Sequence, residues 1–159
     1  MVWDFLISIT MFKREKTILI NTSVDKVFSY VANISRHAEW AANSLEIRHT
    51  AGPASGEGAT YESVIHSPAG IAGSFKGQIR VLHEESPYRF VYETFDTTGQ
   101  YRWSFLLSAE GKGSRLVHRM ERIAAPWMIC LLQSVILWPL LGSRQVQAGL
   151  EHIKTNLES

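Results

Sequence analysis

This chain is poor in the features that announce chemistry. It has one cysteine, Cys130, set among Ile129, Leu131 and Leu132. A thiol there is a small buried hydrophobe, so no disulfide framework is expected and a reducing cytoplasm suits the protein. Net charge is almost absent: 16 Lys and Arg against 15 Asp and Glu leave +1, with the basic residues scattered. No nucleic-acid partner is expected from such a balance. The apolar run Pro126 to Leu141 is 16 residues long, short of the ~18 to 20 that a spanning helix needs. His37, His49, His66, His83, His118 and His152 form no pair at i, i+4 and no HExxH pattern, so no metal is expected. Gly52, Gly56 and Gly58 precede no Lys-Ser/Thr, and Ser63 and Ser134 lie outside any nucleophile elbow. No phosphate cradle, acyl-enzyme route or cofactor is indicated.

The first ten residues are apolar but lack a basic leader and a small-residue cleavage pattern, and Asp4 interrupts them. Met11 reads like a second start. Residues 1–12 are therefore expected to be an N-terminal extension, with an extra edge strand or a loose tail as alternatives. Residues 13–159 then form one domain, the number that 159 residues support.

Periodicity supplies the elements. Residues 17–22 are β-branched and aliphatic, which predicts a strand buried on both faces. Val24, Val27, Phe28 and Val31 then repeat at i, i+3, i+4, i+7 and predict a helix over 24–34, with Thr22 as N-cap and Asp25 completing a capping box. Ser35 is placed to cap a second short helix carrying Ala38 and Trp40. Strand patterns follow at 45–50, 60–66, 74–84, 89–96, 100–109 and 114–124, separated by short Gly-containing turns, so they read as an antiparallel meander. On 74–84 the alternation puts Phe75, Gly77, Ile79, Val81 and His83 on one face. After Pro126 the pattern turns helical, with a kink or break expected at Pro139. Past Gly142, Val146, Leu150, Ile153 and Leu157 form a one-sided stripe.

Four stretches carry a family resemblance: Ile18 to Trp40, the strand Pro87 to Tyr92, Trp103-Ser-Phe with Gly113-Ser-Arg-Leu-Val-His, and the closing QVQAGLEHIKTNLE. From Lys13 to Leu157 the chain resembles the START-like, Bet v 1-like superfamily (SRPBCC), in its polyketide cyclase/dehydrase branch. One departure stands out, because members often carry proline where this chain has Ser23 and Val24. The resemblance implies an α+β helix-grip fold: a curved seven-stranded antiparallel sheet wrapped around a long C-terminal helix, with two short helices after the first strand. It further implies an elongated hydrophobic cavity. Members bind lipids, sterols, hormones, polyketides or isoprenoid quinones, and only some are enzymes, so fold alone leaves function open.

Candidate lining residues are Trp40, Tyr61, Phe75, Ile79, Tyr92, Trp103, His118, Met120, Trp127 and Leu131, with Val135 and Val146 on the lid side. Aromatics at strand spacing are equally what core packing demands, and a one-residue slip would turn each of them outward. An acid or base for catalysis would have to come from His118, Tyr92 or Arg122, or from Arg119, Glu121, Glu62 and His66. His118 and Met120 share one strand face, Arg119 and Glu121 the other. The expected partner is a hydrophobic small molecule held by a monomer or homodimer. Binding without catalysis is favoured over a polyketide cyclase, aromatase or dehydratase. The run 127–141 is expected to fold over the cavity mouth and be buried there, with weak contact to a membrane surface as the alternative.

Overall fold

A computed structural model describes residues 12–42, 44–66, 74–132 and 143–159. Seven strands pair throughout in antiparallel fashion: β1 (Lys13–Ile20), β2 (Ser44–Ala51), β3 (Thr60–His66), β4 (Ser74–Glu85), β5 (Arg89–Asp96), β6 (Gly99–Glu110) and β7 (Gly113–Ala124). Their order across the sheet is β1-β7-β6-β5-β4-β3-β2. The first strand thus pairs with the last, and a connection must cross one face of the sheet to start β2 at the far edge. Helix α1 (Val24–Val31) and a 3-10 helix (Ile34–Glu39) make that crossing. After β7 come the short α2 (Trp127–Leu132) and the long α3 (Ser143–Glu158). This is the helix-grip arrangement of a curved sheet around a C-terminal helix.

The core forms where α1 and α3 meet the sheet. Val27, Phe28 and Val31 from α1 and Leu150, Ile153 and Leu157 from α3 are buried with Phe90, Phe105 and Leu116. Each such side chain contributes ~1.5 to 3 kcal/mol through burial. Polar contacts lock the end of α3 to the end of β1. The backbone N–H of Asn21 donates to Glu158 Oε1 (2.6 Å), Lys154 Nζ to the Leu19 carbonyl (2.6 Å), and Thr22 Oγ1 to the Leu157 carbonyl (3.2 Å). Met120, Tyr101 and Phe12 form a second, smaller buried cluster. Trp103 packs against both.

Several sequence expectations are corrected. The helix N-cap is Ser23, which makes no side-chain capping bond, and the Thr22 hydroxyl donates to the Leu157 carbonyl of α3 instead. The helix ends at Val31, and the second turn is capped by Asn33, whose side chain accepts from the Ser35 N–H; Trp40 follows as its C-cap. β1 is buried on one face only: Ile18 and Ile20 point inward and Leu19 lies exposed, as suits an edge strand. In β4 the register shifts between Val81 and His83. This bulge turns His83 outward to Glu57 and Glu85.

The largest correction concerns α2. Its apolar side chains are not buried: Trp127 is 74% exposed and Leu131 61%. Cys130 is the residue that faces the body of the protein, its carbonyl accepting from Arg122 Nη1 (3.4 Å) and its thiol donating to the Ala125 carbonyl (3.5 Å). With the small side chain turned inward, the helix carries the next residue, Leu131, round toward solvent. The expected break at Pro139 lies outside the described residues.

Candidate functional site

A cavity of about 560 Å³ lies between the sheet, the 3-10 helix and α3. Strand alternation builds its walls. From β4 come Phe75, Gly77 and Ile79, from β5 Tyr92, Thr94 and Asp96, from β6 Tyr101 and Trp103, and from β7 His118 and Met120. Ser63 and Ile65 of β3 and Leu45 of β2 extend the wall, and Gln145, Val146 and Gly149 of α3 close it. A Cβ on Gly149 would sit 3.4 Å from the Trp40 ring. Glycine at this position lets Trp40 lie against the helix. His152 Nδ1 then donates to the Trp40 carbonyl at 3.1 Å, fixing the residue from a second point on α3.

The polar interior is concentrated in an aromatic cluster. The His118 ring stacks on Phe105 with 4.3 Å between centroids and lies 5.3 Å from Trp103 and 6.2 Å from Trp40. His37 sits 4.6 Å from Trp40 and 5.3 Å from Tyr92. His37 Nε2 approaches the Val31 carbonyl at 2.8 Å. A carbonyl only accepts, so this nitrogen carries the proton and Nδ1 is left as an acceptor. Among the described residues His118 Nε2 and Trp40 Nε1 are buried with no hydrogen-bond partner, whereas the Trp103 indole N–H donates to Thr94 Oγ1 at 3.0 Å.

Burial sets the protonation states. Desolvation pulls His37 down to about 4, against the smaller opposing effect of the Val31 carbonyl. It pulls His118 down to about 3, with the neighbouring His37 adding to the effect. Both imidazoles are neutral at pH 7. Desolvation also raises the Tyr92 phenol above its ordinary range, so it stays protonated.

Of the twelve lining residues expected from sequence, Trp40, Phe75, Ile79, Tyr92, Trp103, His118, Met120 and Val146 stand on the cavity wall. Tyr61 does not. It is buried, and its hydroxyl donates to the Ala54 carbonyl (3.2 Å) at the β2–β3 connection. Trp127 and Leu131 are on the exposed face of α2. Val135 lies outside the described residues. Among the acid–base candidates only His118 and Tyr92 reach the cavity. Arg122 is buried beside Phe12, its guanidinium 4.9 Å from that ring. Arg119 pairs with Glu15, Glu62 with Arg48, and His66 with Glu46, all away from the cavity. Glu121 likewise is not on the lining. No cluster of three His, Cys, Asp or Glu suited to a metal occurs among the described residues.

Sequence reasoning missed Phe12, His37, Thr94 and Asp96 on the wall. Phe12 falls in the expected extension but is buried in the Tyr101 and Met120 cluster. His37 precedes Trp40 by one 3-10 turn, a spacing that marks it only once that turn is known. Thr94 and Asp96 follow Tyr92 at the period of two, which was the available signal.

Solved structures share this arrangement. The chain matches the protein CV1439 from Chromobacterium violaceum at a TM-score of 0.70 and 15% identity, covering 93% of this chain and 99% of that one. It matches TTHA0849 from Thermus thermophilus at 0.67 and 16%, covering 92% and 97%. It also matches the di-domain ARO/CYC StfQ from the steffimycin biosynthetic pathway at 0.72 and 12%, covering 98% of this chain and 54% of that one. At these identities the likeness establishes the fold. No curated protein matches the chain. Residues 11–158 match the family described as polyketide cyclase / dehydrase and lipid transport. With nearly its whole length matched and the helix-grip fold in place, the chain belongs to that family.

Proposed function

We propose that this protein binds a hydrophobic small molecule in the cavity and holds or carries it without transforming it. The observation that carries this reading is a roughly 560 Å³ space walled by aromatic and aliphatic side chains, with the Tyr92 hydroxyl and Thr94 among its polar groups. Ligand sites commonly occupy ~300 to 1,000 Å³, are mostly apolar and present a few polar groups. A bound apolar molecule takes that aromatic and aliphatic wall out of water, which favours binding.

A second reading, cyclisation or dehydration of a polyketide-like chain, draws on the family and on the likeness to StfQ. His118 and Tyr92 would have to supply the acid and base. A histidine held near 3 is a feeble base at neutral pH, and a phenol held above its usual range is a feeble acid. Carriage therefore fits the groups better than catalysis. Native mass spectrometry on gently purified protein tests the reading. A complex heavier than the 18.0 kDa chain, losing an apolar molecule on activation, is expected. Bare protein that takes up no apolar compound would refute it. Should a bound polyketide be turned over and His118→Ala abolish that turnover, the catalytic reading replaces this one.

A further inference from the structure

The charges around the cavity restrict what can enter it. Every Lys and Arg of the chain lies among the described residues, yet none lines the cavity. Arg14 and Lys16 stand opposite Met120 and His118 in the β1–β7 register, on the same face of the sheet but outside the lining. They share with Trp103, His118, Met120 and Val146 a separate cleft that has no room for a water molecule. Arg122 is held against Phe12 and the Cys130 carbonyl. Among the described residues the charged one on the lining is an acid, Asp96, whose Oδ1 accepts from the Thr98 N–H at 2.7 Å. His37 and His118 are neutral imidazoles by virtue of burial. An anionic ligand would therefore leave water with no cation on the cavity wall to meet it and a carboxylate there instead, which is unfavourable.

A neutral polar group meets the opposite reception. Trp40 Nε1–H, the Tyr92 hydroxyl and the His118 ring gather in one aromatic cluster on the wall. Among them they offer hydrogen-bond donors, and His118 and Tyr92 also offer acceptors. Among the described residues the indole N–H and His118 Nε2 have no partner, but neither atom is open to the cavity. A ketone, hydroxyl or amide oxygen on an apolar frame meets the Tyr92 hydroxyl on the wall without bringing charge.

We infer that the cavity selects neutral ligands bearing a carbonyl, hydroxyl or amide group and rejects the corresponding carboxylates, so free fatty acids and other apolar acids are not its cargo. This rests on the binding reading above and narrows it to a ligand class.

A matched pair of probes tests it: anthraquinone-2-carboxamide and anthraquinone-2-carboxylate, which share a frame and differ in charge, compared by equilibrium dialysis at pH 7.5 against the whole chain. The amide is expected to bind at least about tenfold more tightly. Equal binding, or tighter binding of the carboxylate, overturns the inference and leaves the binding reading standing. If neither probe binds up to its solubility limit and no apolar compound does, the binding reading itself falls and takes the inference with it. Val146→Lys puts a cation on the lining from α3. It is expected to shrink the preference for the amide or reverse it, and an unchanged preference in a folded variant would show that charge is not what the cavity reads.

Discussion

A buried histidine whose Nε2 finds no hydrogen-bond partner among the described residues is held there by its surroundings, and His118 illustrates how. Stacking on Phe105 and the flanking indoles of Trp40 and Trp103 supply contact while excluding water. Protonating it or His37 would bury an unpaired charge. The sign of the pH effect follows. Both folded values, about 3 and about 4, lie below the ordinary 6.5, so between these limits the unfolded chain binds the extra protons. Stability is fully present above ~pH 7 and falls as pH drops from 6.5 toward 4, at up to ~1.4 kcal/mol per pH unit for each ring. Urea unfolding across pH 4 to 8 measures this, and His118→Gln should flatten part of the slope. An unchanged slope in that variant would contradict the burial account. Residue identities at the site were legible where alternation alone decides, as at Phe75 and Ile79 or at His118 and Met120. They were hidden where a bulge or turn intervenes. His83 changed face at the β4 bulge, and His37 became a wall residue only through the 3-10 geometry that Asn33 starts.

Elements differ in how much of the fold rests on them. α3 buries Leu150 and Ile153 almost fully, so Leu150→Ala is expected to cost ~2 to 5 kcal/mol in denaturant unfolding. The exposed face of α2 should behave otherwise: Leu131→Ser is expected to change stability by less than ~0.5 kcal/mol in the same measurement. A large loss there would mean that Leu131 packs against the body. The limits of β6 and β7 were legible because Gly-containing turns bound them, and the closing helix because its apolar stripe is one-sided. β1 instead starts at Lys13, ahead of the expected Thr17, because its charged first half lies exposed at the sheet edge. The orientation of α2 was not legible, for a physical reason. An apolar run of helical length tells nothing about which side faces inward, and Cys130, the smallest side chain in it, took that side. The capping box at Thr22 failed as well, since the helix starts one residue later, with Ser23 at the N-cap.

At the scale of the molecule, the order of elements was enough to give the fold, while the space inside it was not. Whether a shell is hollow depends on where each side chain ends: Gly77 and Gly149 make room where any larger residue would have taken it, and no period in the sequence encodes that. The energetic consequence is measurable. A neutral apolar ligand at 100 times its Kd should raise unfolding stability by ~2.7 kcal/mol. For a domain of this size that amounts to several degrees in Tm by differential scanning calorimetry. The most direct measurement is a crystal structure grown with anthraquinone-2-carboxamide. The account predicts density for the ring system between Trp103, Ile79 and Val146, with its polar group toward His118, Tyr92 and Trp40. An interior filled by the protein's own side chains, with the probe absent or bound elsewhere, would contradict it.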